Sequence, residues 1–119
     1  MSNIKIYHNP KCSSSRNTLA LIRERGHEPE VVLYLETPPM REELLSIIQA
    51  TGSTARGLMR SKEALYSELG LDNPSLSEDA LIEAMLAHPI LMNRPIVITQ
   101  KGARLCRPAE LVLDVLPQG

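Results

Sequence analysis

The sequence predicts a mixed α/β fold, and three observations carry that expectation. Short apolar runs stand near both ends of the chain, at residues 3–7, 30–35, 95–99 and 103–106. A segment with helical periodicity, 13–25, separates the first two runs, so the chain opens β-α-β. The middle of the chain is helical in pattern and poor in strand formers.

The elements follow in order. Ile4 and Ile6 share one face of the first strand. A turn at Asn9-Pro10 leads to Cys12 and then to Ser13-Ser14-Ser15, which offer a cap for the helix over 13–25. Leu19 and Ile22 lie on one face of that helix, and Gly26 suits its stop. Glu30-Val31-Val32-Leu33-Tyr34-Leu35 is nearly continuous in apolar residues, which suits a strand buried on both faces. A β-α-β unit of this size places its strands parallel with a right-handed crossover.

Thr37-Pro38-Pro39 breaks the chain. A helix over about 41–50 carries Leu44, Leu45, Ile47 and Ile48 and ends near Gly52. Residues 54–69 read as one or two short helices, with Leu58, Met59, Leu65 and Leu69 inward and Gly70 as a stop. Ser77 with Glu78 and Asp79 opens a further helix to about Ala87. Pro95-Ile96-Val97-Ile98-Thr99 is a strand led by proline. Gln100-Lys101-Gly102 turns it into a hairpin with Ala103–Cys106. Pro108 then opens a last helix, 108–116, with Leu111, Val112, Val115 and Leu116 inward. The order β-α-β, helical insertion, β-β-α matches a thioredoxin-like fold with a mixed four-stranded sheet. The 119 residues fit a single domain, residues 1–119.

Composition narrows the function. The formal net charge is −1, and the chain has no Trp and no Phe, which argues against a nucleic-acid surface or a stacking platform for bases. No stretch approaches the roughly 20 apolar residues that span a bilayer. Lys5 and Pro10 interrupt any signal-peptide pattern, so a cytoplasmic protein is expected. In a reducing compartment Cys12 and Cys106 are not expected to pair. With no C-x-x-C and only three scattered histidines, no metal site is expected, and Met40, Met59, Met85 and Met92 read as core candidates.

Cys12 is the candidate reactive group. It stands among polar turn formers at a helix start, where unpaired N–H groups and the helix dipole favour a thiolate and would also receive an oxyanion. Lys11 and Arg16 flank it, and His8 lies four residues before it. His8 either tunes the thiol or caps the strand end. Arg60, Arg94 and Arg107 each stand beside a break in regular structure, and an arginine fork suits a tetrahedral oxyanion. Cys106 ends an apolar run and reads as packing rather than as a resolving thiol.

Several strings resemble the glutaredoxin-linked arsenate reductases. They are Tyr7-His8-Asn9-Pro10-Lys11-Cys12 with Ser15-Arg16-Asn17-Thr18-Leu19, then Leu33–Pro39, His88–Val97 and Arg104–Pro108. The likeness runs from about Asn3 to Leu116. It implies a thioredoxin-like fold with a helical insertion and a cis peptide at Arg94-Pro95. It implies that Cys12 attacks arsenate, that Arg60, Arg94 and Arg107 hold the oxyanion, and that His8 lowers the thiol pKa. It further implies no bound cofactor, with glutathione as co-substrate and glutaredoxin as the partner that clears a Cys12–glutathione disulfide. Ser13-Ser14 stands where the best-known members have Gly-Thr. The alternatives are a glutathione-dependent thiol oxidoreductase with another substrate, and a non-enzymatic interaction protein of the Spx type. The phosphatase-like arsenate reductases need C-x5-R, whereas Cys12 to Arg16 is C-x3-R. The Spx-type C-x-x-C switch would need a second cysteine where Ser15 stands.

Overall fold

The computed structural model describes residues 4–117. Asn3, expected to open the first strand, lies outside the described residues. The chain divides into two compact units, one formed by residues 1–37 with 94–119 and the other by residues 38–93.

The first unit holds the sheet. Its strands are β1 (Lys5–His8), β2 (Glu30–Leu33), β3 (Ile96–Thr99) and β4 (Gly102–Leu105). They lie in the order β2-β1-β3-β4. β1 pairs parallel with β2, setting Ile6 beside Val31, and antiparallel with β3, setting Ile6 beside Val97. β3 and β4 form the expected hairpin, with Thr99 opposite Gly102. This is the mixed thioredoxin-like sheet that the element order predicts. The two central strands are buried on both faces, since Ile6, Tyr7, Ile96 and Val97 are all closed to solvent.

Strand β2 corrects the sequence reading. Its apolar run suggests a strand buried on both faces, yet it lies at the edge of the sheet. Leu33 is 36% and Leu35 41% exposed, while Tyr34 is fully buried. Hydrophobicity alone does not tell an edge strand from a central one, because position in the sheet depends on the later hairpin.

Helix α1 spans Ser13–Glu24, and Arg25 and Gly26 (φ 85°) end it near the expected stop. Ile22 on its inner face joins Ile4, Ile6, Val97, Cys106, Val112, Val115 and Leu116 in one apolar core. The expected final α-helix is instead a 3-10 segment, Ala109–Asp114, preceded by Pro108 at its cap. Val112, Val115 and Leu116 face the core as expected, and Leu111 is only part-buried. Thr99 ties the segment to the sheet through Oγ1, which donates to the Val115 carbonyl at 2.5 Å.

The second unit holds α2 (Arg41–Thr51), α3 (Ala64–Glu68) and α4 (Glu78–Ala87), with 3-10 turns at Arg56–Leu58 and Pro89–Leu91. Gly52 closes α2 in the left-handed region at φ 68°, and Ser77 Oγ caps α4 by accepting from Ala80 N–H at 3.1 Å. Leu44, Ile47 and Ile48 are buried, but Leu45 is not. Leu69 and Met40 also correct the expectation of core positions, being 45% and 78% exposed. Tyr66 fills the inward position of α3, and its hydroxyl accepts from Arg56 Nη1 at 2.6 Å. Arg41 of α2 pairs with Asp79 and Glu83 of α4.

The core predicts a contrast in stability. Ile22→Ala leaves a cavity in a closed site and should cost about 2–5 kcal/mol. Leu35→Ala at the exposed edge should change stability by less than about 0.5 kcal/mol. Urea unfolding of the two variants measures both, and comparable losses would contradict this description of the core.

Candidate active site

The site begins where β1 ends. His8 is the last residue of the strand, and the chain turns at Asn9-Pro10. The turn is closed twice by Asn9: its carbonyl accepts from Cys12 N–H at 3.0 Å, and its Oδ1 accepts from Lys11 N–H at 3.0 Å. These bonds place Cys12 in extended geometry (φ −97°, ψ 125°) as the N-cap residue of α1. The serine run was expected to supply the cap, but the cap position belongs to the cysteine itself.

That placement aims the helix start at the sulfur. Ser14 and Ser15 are the second and third helical residues, the positions whose N–H groups an N-cap side chain normally receives. Their geometry falls short of an ordinary cap hydrogen bond, yet both N–H groups point at Sγ closely enough to favour its anion. Burial pushes the thiol pKa up. The Ser15 N–H, the Arg94 and Arg107 guanidiniums and the Ser14 N–H together outweigh burial, and the net shift is downward. Arg107 Nη1 lies 3.6 Å from Cys12 Sγ and donates to the Arg94 carbonyl at 3.1 Å.

The two arginines come from the two corners flanking the β3–β4 hairpin. Arg94 precedes Pro95 and Arg107 precedes Pro108, and both X-Pro peptides are cis. The first cis bond matches what the resemblance implies; the second was not anticipated. Cys106 N–H donates to the Pro95 carbonyl at 2.9 Å and joins the corners. Thus Cys12, Arg94 and Arg107 converge although up to 95 residues separate them in the chain.

Arg60 belongs to the helical unit. It follows the 3-10 turn at Arg56–Leu58, donates its N–H to the Leu91 carbonyl at 2.8 Å and pairs through Nε with Glu63 at 3.3 Å. His8 is buried, and its Nδ1 lies 2.6 Å from Ser15 Oγ. Burial, followed by the charges of Arg23 and Arg16, lowers its pKa, so the ring is mainly neutral at pH 7. Its link to the thiol is through Ser15, whose Oγ also accepts from Asn9 N–H at 3.0 Å.

Ser15 is the residue that reading the sequence missed. It is fully buried, joins His8 to Asn9 and presents its N–H to the sulfur. The signal was available, since a polar residue three places after an N-cap is where the capping N–H lies. Cys106 stands in contrast to Cys12. It is buried in the apolar core, and burial pushes its thiol up to about 12. Among the described residues, no group of three or more His, Cys, Asp or Glu is placed to hold a metal ion, and no helix is long and apolar enough to cross a membrane.

A comparison with protein families matches residues 7–115 to the ArsC family. The chain belongs to that family. It is 58% identical to an arsenate reductase of Escherichia coli, across 98% of this chain and 83% of the relative. It is 55% identical to the uncharacterised protein YfgD of Escherichia coli strain K12, across 95% and 96% of the two chains. Among solved structures, the arsenate reductase from Vibrio cholerae matches with a TM-score of 0.93 at 51% identity, covering 97% of this ArsC-family chain and 98% of that one.

Two predictions follow from the site's electrostatics. The guanidinium of Arg107 favours the thiolate, so Arg107→Gln should move the midpoint of the pH profile for Cys12 alkylation upward. Arg23→Gln, at an exposed pair with Glu28, should leave it in place; a profile unchanged in both variants would remove the arginine contribution. In addition, native protein at pH 8 should take up one equivalent of iodoacetamide, and urea-unfolded protein two. Rapid double labelling of the native form would contradict the burial of Cys106.

Proposed function

We propose that this chain is an arsenate reductase that works with glutathione and glutaredoxin. The observation that carries the reading is the Cys12 sulfur at the cap of α1, facing two backbone N–H groups and the guanidiniums of Arg94 and Arg107. A lowered thiol pKa raises the fraction of thiolate, the nucleophilic form, at any given pH. The same cations and N–H groups suit a tetrahedral oxyanion. Identity to arsenate reductases over nearly the whole chain names the anion.

The Cys12 thiolate attacks the arsenic of arsenate, and one oxygen leaves as water. Arg94 and Arg107 offset the charge of the remaining oxygens. The resemblance adds Arg60 as a third ligand of the oxyanion. A glutathione thiolate then forms a sulfur–sulfur bond with Cys12 as the sulfur–arsenic bond breaks and leaves its electron pair on arsenic, so that two thiols lose two electrons to arsenic. The products are arsenite and a Cys12–glutathione disulfide. Glutaredoxin exchanges the glutathione away and restores the thiol. His8 acts on the thiol through Ser15, by holding the N–H that faces the sulfur. The proposal takes residues 1–119 as one working domain in the cytoplasm, with no bound cofactor.

Ser13-Ser14, standing where the best-known arsenate reductases have Gly-Thr, supports a second reading of the same site, with another substrate in the place of arsenate. A coupled assay separates the two. It follows arsenate-dependent NADPH oxidation with glutathione, glutaredoxin and glutathione reductase. The wild type should turn over and Cys12→Ser should not, because the reaction needs the sulfur. Arg94→Ala should raise KM for arsenate about ten- to a hundredfold, as expected for losing a charged hydrogen bond. Arg23→Ala should stay within about twofold. Turnover by Cys12→Ser would sink the mechanism. No turnover by the wild type, with Cys12 still exchanging with glutathione disulfide, would favour the second reading.

A further inference from the structure

We propose that Arg16 is the docking cation for the carboxylates of glutathione as its sulfur approaches Cys12. The proposal rests on the reading of Cys12 as a thiol that forms a disulfide with glutathione. Arg16 is one helical turn beyond Cys12, about 6 Å along the helix axis. Its N–H makes the first bond of α1, to the Cys12 carbonyl at 3.0 Å. Its side chain runs back toward the helix start, and Nη1 donates to the Pro10 carbonyl at 3.0 Å. The guanidinium is therefore fixed over the turn that carries the sulfur while remaining exposed to solvent.

No carboxylate among the described residues pairs with Arg16. Arg23 differs, because both ends of its fork are engaged by Glu28 at 3.1 and 2.9 Å. A shallow depression on this face of α1 is lined by Arg16, Leu19, Ala20, Arg23 and Glu24. Glutathione is a tripeptide with two carboxylates, one ammonium and its thiol in the central residue. With that thiol at Cys12, its carboxylates lie several bonds from the sulfur, a span comparable with the one helical turn that separates Arg16 from Cys12. Arsenate is not expected to use Arg16, because the groups on the Cys12 sulfur come from Ser14, Ser15, Arg94 and Arg107.

The test uses thiol–disulfide exchange and needs no arsenate. The Cys12 thiolate attacks one sulfur of a disulfide, the Cys12–S bond forms, and the other half leaves as a thiolate. Two disulfides are compared, oxidised glutathione and the uncharged bis(2-hydroxyethyl) disulfide. Arg16→Gln should slow exchange with oxidised glutathione about two- to fivefold, the worth of an exposed charge pair, and leave the neutral disulfide unchanged. Arg16→Lys should retain most of the glutathione rate, and Arg25→Gln, at the far end of α1, should retain all of it. The glutathione preference should shrink in 0.5 M salt. In the arsenate assay the same variant should raise KM for glutathione and not KM for arsenate. Equal slowing of both disulfides, no change in either, or a raised KM for arsenate would overturn the proposal. Failure of arsenate turnover in the wild type would bear only on the choice of substrate, because the exchange assay stands apart from it.

Discussion

Four hydrogen-bond donors converge on the Cys12 sulfur, and the sheet topology puts them there. Burial works against the Cys12 thiolate, and four donors work for it: two helix N–H groups and two guanidiniums. The balance is local, but its components are not. The N–H groups exist because α1 starts at Cys12, and α1 starts there because Asn9 closes the preceding turn. The guanidiniums exist at that point because β3 sits beside β1 and β4 beside β3. A change in strand order would remove Arg94 and Arg107 from the sulfur while leaving each element intact.

Each side of the sulfur is braced by a residue whose own side chain does something else. On the helix side, Ser15 is buried and bonded through Oγ to His8 and Asn9, so its N–H is held toward Sγ. A neutral His8 suits this duty better than a charged one, since charging it beside Arg16 and Arg23 would cost energy. On the hairpin side, Cys106 N–H bonds the Pro95 carbonyl and its side chain lies in the apolar core. The core thereby fixes the corner from which Arg107 reaches both the Arg94 carbonyl and the sulfur.

The legible part of the sequence was whatever depends on neighbours in the chain. The Ser77 cap, the Gly52 stop, the β3–β4 hairpin and the helix after Cys12 all follow from residues a few positions apart. The cysteine and the arginine corners were also legible, because a thiol among turn formers and arginines before prolines are local patterns. What failed depends on distant partners. Leu33 and Leu35 look buried until the hairpin takes the other side of β1. Met40 and Leu69 are apolar residues for which the second unit has no inward position. The last segment has α-helical apolar spacing, yet it forms a 3-10 run with Val112, Val115 and Leu116 in the core. Ser15 was hidden because serine is ordinary at a helix start, and only its buried partners mark it out.

The two cysteines show why residue type alone does not locate the chemistry. Cys106 is one residue from Arg107, and Arg104 lowers its pKa, yet burial dominates and holds its thiol near 12. Cys12 meets a burial penalty too, but the fold places donors on the sulfur itself. The difference is directional. Arg107 points its Nη1 at Cys12, 95 residues away, and the Cys106 sulfur faces the Arg104 carbonyl, which cannot stabilise an anion. A thiolate at Cys106 would face an acceptor where Cys12 faces donors. The ease of forming a thiolate in this chain therefore follows the orientation of hydrogen-bonding groups around each sulfur, and the sheet topology sets that orientation.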